Sequence, residues 1–174
     1  VGGAFSAIYH PEGILNQFLR FVGLGSLAQE WIVNTQYAMN SVVLMDVWSG
    51  VGFTMVIFIA GLQTIPEDIY ESAIIDGAGG FKKLISITLP LVMPSITINT
   101  SLNIINSLKV FGQVLVLTNG GPADATQVFS TFIYKNFGYG FMGYASAISL
   151  VFTIIVTTLG ILANTAFRKM EVEY

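Results

Sequence analysis

Charge in this chain is confined, and the confinement dictates what it can fold into. Glu67, Asp68, Glu71, Asp76, Lys82 and Lys83 crowd into one island, while charged residues make up only 10% of the whole and hydrophobic residues 53%. A soluble domain carries charge at roughly 25% of its positions. Long apolar stretches flank the island. Residues 42–62 are enough, at about 1.5 Å rise each, to cross the roughly 30 Å of bilayer hydrocarbon. Residues 89–110 and 145–167 are the second and third such stretches. The pattern predicts an all-α polytopic membrane protein with about three transmembrane helices. The island is then a loop exposed between the first two.

The island has an internal order. Pro66 suits the first turn of a helix, where its missing N–H costs nothing. Glu67, Asp68 and Glu71 follow, and carboxylates favour a helix N-terminus. Ile69, Ala73 and Asp76 share one helical face, with Tyr70 and Ile74 beside it. Gly77, Gly79 and Gly80 break the helix, and a second short helix can run from Phe81 to Pro90. Helix, glycine turn, helix, with charges and exposed apolar groups together, is a loop built to dock on a soluble partner.

Glu71-Ser72-Ala73, three residues, Gly77, nine residues, then Ile87-x-Leu89-Pro90 resembles the EAA loop of ATP-binding-cassette importer permeases. Ser72 departs from the family, which usually has Ala there, but small replaces small. The resemblance implies a coupling helix seated in a cleft of a cytoplasmic ATPase subunit. Glu71, Ser72, Ala73, Asp76, Gly77, Ile87, Leu89 and Pro90 are the implied coupling residues. Glu71 would pair with a basic residue of the ATPase, Ala73 would pack closely, and Gly77 would set the bend.

Before the first span, residues 1–36 read as an outer-face segment rather than a crossing. Ile14, Leu15, Phe18, Leu19 and Val22 lie on one helical face, away from Asn16, Gln17 and Arg20, so this helix rests on a membrane surface or on neighbouring helices. Trp31 and Tyr37 suit the water–lipid interface. Residues 37–174 read as the permease transmembrane domain, with its coupling loop at 66–88. Asp46, the one charge in the first span, is a functional candidate or an interfacial carboxylate. Gly50 and Gly52 weaken the helix after Trp48 and admit a neighbouring backbone or a ligand. In the second span, Pro90 and Pro94 predict a kink. Asn99, Asn103, Asn106 and Ser107 form one helical stripe, readable as helix–helix glue or as a pore wall.

Residues 117–123 read as a turn, 126–137 as a short helix, and Gly138, Gly140 and Gly143 as a flexible connection. Arg168 and Lys169 follow the third span, and an acidic tail closes the chain. Lys82, Lys83, Arg168 and Lys169 fall on one side of the membrane, and Arg20, Lys109 and Lys135 on the other. The first side is taken as cytoplasmic, as in the family.

Further stretches are similar to the sugar branch of these permeases, the larger maltose-type subunit: Gly61-Leu62-Gln63-Thr64-Ile65-Pro66, Leu117-Thr118-Asn119-Gly120-Gly121-Pro122, and Asn34-Thr35 through Trp48. The branch implies solute contacts at a glycine-containing turn after the Trp and on the polar face of the span after the loop. These are Ser49, Gly50 and Phe53, then Asn103 and Ser107. It also implies a bacterial inner-membrane location and four kinds of partner: cytoplasmic ATPase subunits, a second permease subunit, an extracytoplasmic solute-binding protein and membrane lipid. Because such permeases have six or more spans, and the chain starts at Val1 without a signal peptide, it reads as a C-terminal part.

Competing functions fare worse. A net charge of -3 excludes a basic nucleic-acid footprint. With no cysteine and one histidine, His10, no catalytic residue, metal site or cofactor is expected, which disfavours a membrane-embedded enzyme. The alternative that the loop leaves open is a non-transporting scaffold that docks an ATPase.

Overall fold

A computed structural model describes residues 1–169; the acidic tail lies outside the described residues. Among those residues every regular element is helical. The chain divides into two compact units. One is Val1–Gly50 with Lys109–Ile154, the other Val51–Leu108 with residues 155–169.

In the first unit lie α1 (Gly2–Ile8), α2 (Ile14–Phe21) and a 3-10 turn at Gly25–Leu27. They precede the first half of α3 (Ala38–Gln63). Tyr9, Val42, Met45, Val114 and Leu117 make the core, with Phe5, Leu15, Trp31 and Val128 packed against it. Burial pushes the Tyr9 hydroxyl pKa up, which keeps the ring neutral in that core.

The second unit holds the rest of α3, then α4 (Glu67–Ile75), α5 (Gly80–Leu91) and α6 (Met93–Leu108). A Cβ on Gly61 would overlap the Ser95 hydroxyl, so α3 and α6 approach closely because Gly61 has none. The chain returns to the first unit with α7 (Gly112–Leu117) and α8 (Phe129–Gly138). Finally α9 (Met142–Arg168) starts in the first unit and ends in the second.

By length and apolarity, α3 and α9 can each cross a membrane. The third candidate starts earlier than residue 89 and carries the kink that Pro90 and Pro94 predict. It is α5 and α6 together, bent by 64° at their junction. Pro90 and Pro94 bring no N–H to the ladder, and the chain turns between them. Leu89 and Pro90 therefore close the helix of the charged loop, and α6 starts at Met93. Residues Leu84–Thr88 widen into a π turn within α5.

Three local expectations change. Gly50 and Gly52 do not interrupt α3, which runs unbroken past both. Lipid offers no water to satisfy a broken backbone, so the helix tolerates two glycines. The short helix starts at Phe129, not Thr126, because the Thr126 hydroxyl donates to the Gly121 carbonyl at 2.7 Å in the preceding turn. Thr131 Oγ1 accepts the Val128 N–H at 3.2 Å and so caps the first turn. Gly138 and Gly143 are helical, leaving Gly140 alone in the connection.

Candidate functional site

The charged loop is organised by the end of α4. Gly77 has φ +71°, in the left-handed region. There the Ala78 N–H donates to the Ala73 carbonyl at 2.9 Å, and the Gly77 N–H to the Ile74 carbonyl at 3.0 Å. This pair is a Schellman cap, and glycine is the residue that adopts its geometry without a Cβ penalty. The cap turns the chain sharply into α5. The Tyr70 and Thr88 hydroxyls then meet at 3.0 Å and tie α4 to α5. Sequence reasoning passed over that pair, whose partners are eighteen positions apart with no periodic signal.

Burial sorts the coupling residues. Ala73 is buried; Ile87 and Pro90 are half-buried; Glu71, Ser72, Asp76, Gly77 and Leu89 are exposed. The Ser72 hydroxyl bonds back to the Asp68 carbonyl at 2.8 Å, so it adds no polar demand to the surface. Exposed with these residues are Ile74, Ile75 and Phe81, Ile75 at 86%. An α4 that fully buries only Ala73, and leaves carboxylates and large apolar groups outside, is shaped for another surface.

Within the same unit, two amides of α6 converge on α3. Asn99 is buried and its Nδ2 donates to the Thr54 carbonyl at 3.3 Å. Asn103 reaches the Thr54 hydroxyl at 3.4 Å but is exposed. Asn106 and Ser107 are exposed too, and the Ser107 hydroxyl returns to the Asn103 carbonyl at 2.7 Å. Phe53, next to Thr54, is 62% exposed. Thr54 was not singled out from the sequence; a lone Thr in an apolar run carries no signal.

In the first unit, Ser49 and Gly50 are helical, not a turn. The Ser49 hydroxyl bonds to the Met45 carbonyl at 2.8 Å. One turn earlier, Asp46 accepts a hydrogen bond from Gln113 Nε2 at 2.8 Å, which gives this carboxylate a partner on α7.

Residues 3–171 match the family described as binding-protein-dependent transport system inner membrane component. The chain belongs to that family. Among its relatives, the probable ABC transporter permease protein YurN of Bacillus subtilis is 37% identical over 171 residues, covering 97% of this chain and 59% of the relative. The trehalose/maltose transport system permease protein MalF of Thermococcus litoralis is 37% identical over 152 residues, covering 87% of this chain and 51% of the relative. This member of the family thus spans a little over half the length of these two relatives. A crystal structure of a bacterial ABC transporter involved in the import of the acidic polysaccharide alginate contains a chain of the same fold. Its TM-score is 0.84 at 24% identity, over 97% of this chain and 59% of that one. As a binding-protein-dependent transport component, the protein is a multi-pass, all-helical part of the inner membrane.

Proposed function

We propose that this chain is a permease subunit of an ATP-binding-cassette importer. It forms part of the path for a sugar or sugar-like solute and couples that path to ATP hydrolysis in a partner subunit. The observation that carries this reading is the exposed, Schellman-capped α4, set beside membrane-crossing helices in a binding-protein-dependent transport component. In this reading the partners are cytoplasmic ATPase subunits, a second permease and an extracytoplasmic binding protein. Glu71 and Asp76 meet basic groups of the ATPase, while Ile74, Ile75 and Phe81 enter its cleft. The sugar class rests on the name of the 37% identical MalF relative and on the uncharged character of Asn99, Asn103, Asn106 and Ser107. Amides and hydroxyls offer donors and acceptors to a polyol without fixing a charge.

These 174 residues hold no cysteine, so a single added thiol is unambiguous once cysteines elsewhere in the importer are replaced. Ser72→Cys and Ala78→Cys are placed singly in the complete importer, which is then treated with a thiol cross-linker, with and without ATP. Nucleotide-dependent cross-links to the ATPase at either position are expected. An assembled complex that gives none would remove the coupling assignment. Cross-linking without any solute uptake would favour the scaffold reading.

A further inference from the structure

Helix α2 presents its largest apolar side chains outward. It gives its unit Leu15 and Asn16, and leaves Ile14, Phe18 and Phe21 outside, Phe21 at 89% exposure. Leu24 and Leu27 extend the same exposed patch. Gln17 and Arg20 occupy the other exposed flank, with Arg20 loosely paired to Glu12 at 3.4 Å.

The roll of the helix is fixed by one amide. Asn16 Nδ2 donates to the Pro11 carbonyl at 3.1 Å and to the Gln29 carbonyl at 2.9 Å. Its Oδ1 accepts the Gln29 N–H at 3.2 Å and the Trp31 Nε1–H at 2.8 Å. Both donors and both lone pairs are used. Rotating α2 to bury Phe18 and Phe21 would break all four bonds.

The depth of the helix is fixed as well. The carbonyl of Trp31, the residue whose indole Asn16 holds, accepts the Ser41 hydroxyl at 3.0 Å. Ser41 stands at the start of α3, a helix of 26 residues that can cross the membrane. Two hydrogen-bonded steps therefore link α2 to the end of a span. At that level hydrocarbon gives way to headgroups. The Trp31 and Tyr37 rings meet edge to face at 6.0 Å there, the aromatic pair such a boundary favours. Val43, Leu44 and Val47 on the first turns of α3, in the same unit, are exposed apolar residues as well.

We propose that α2 is an interfacial anchor. It lies along the headgroup–acyl boundary of the bilayer, with Ile14, Phe18 and Phe21 in the acyl region and Gln17 and Arg20 toward water and lipid phosphate. An amphipathic helix at this depth holds the entrance of α3 against tilting, independently of any solute.

Site-directed spin labelling in the complete importer tests this. Phe18→Cys, Phe21→Cys and Gln17→Cys, all exposed positions, are labelled with a nitroxide. The importer is reconstituted in phosphatidylethanolamine/phosphatidylglycerol vesicles and probed with oxygen, which partitions into lipid, and a water-soluble nickel chelate. The anchor predicts several-fold greater oxygen than nickel accessibility at positions 18 and 21, and the reverse at 17. Nickel access at 18 and 21 equal to that at 17 would overturn it, placing the face in water. Exclusion of both probes at 18 and 21 would also overturn it, showing that a protein covers the face. Because neither transport nor ATP is read, the proposed import function can fail while the anchor stands.

Discussion

Two asparagine-bearing regions, α2 and α6, use the same side chain in opposite ways. Asn16 is buried, and every donor and acceptor of its amide is occupied by groups of its own unit. On α6, Asn99 is buried but makes one long bond, Asn103 makes one longer bond, and Asn106 is exposed. A fully satisfied amide is architecture. An amide with open valences is available to partners outside its own unit. We read those partners as solute hydroxyls and the polar groups of other subunits.

The sharpest way to break the contrast is Asn16→Leu. It leaves the Trp31 and Gln29 N–H groups and two carbonyls without their partner, and should cost about 2–4 kcal/mol of stability. Denaturant unfolding of the purified protein measures this; a loss within about 0.5 kcal/mol would mean water replaces the amide. Next comes Asn103→Ala. Loss of one solute hydrogen bond worth about 1.4 kcal/mol should raise the half-saturation concentration for uptake roughly tenfold. Unfolding should stay within about 0.5 kcal/mol of the parent, since the position is exposed. Gly77→Ala puts a Cβ at φ +71° and should destabilise the α4 cap by about 1 kcal/mol. Slower exchange with solvent of the Ala78 amide than in the parent would contradict that. The smallest effect belongs to Asn99→Ala, about 0.6 kcal/mol, the usual worth of one hydrogen bond between membrane helices. A loss as large as that at Asn16 would erase the distinction between the regions.

The sequence made the architecture legible where physics is periodic or one-dimensional. Charge confined to 67–83 divided the chain into apolar helices and a loop. Gly77, Gly79 and Gly80 marked the turn, and Gly77 carries the Schellman cap. Pro90 and Pro94 located the bend, though not its 64° size, which depends on how α5 and α6 pack. Less was legible where partners lie far apart. Asn16 reads as a polar residue on an exposed face, yet its partners Gln29 and Trp31 lie thirteen and fifteen positions on, in an irregular segment. Gly50 read as a place where α3 weakens. A glycine costs a helix about 1 kcal/mol, and in a segment without water an open backbone costs more, so the helix persists. Asn103, Asn106 and Ser107 were found by their spacing, but spacing does not say that they are exposed while Asn99 is buried.

One measurement bears most directly on the claim that α6 lines a solute path. Asn103→Cys, in a complete importer whose other cysteines have been replaced, is exposed to a charged, membrane-impermeant thiol reagent, with and without a panel of sugars whose uptake is measured in parallel. The account predicts that position 103 reacts from water and that the transported sugar, but not an untransported one, slows the reaction. A thiol inert to the reagent in every state of the ATP cycle, or one that reacts equally fast with and without the transported sugar, would contradict it.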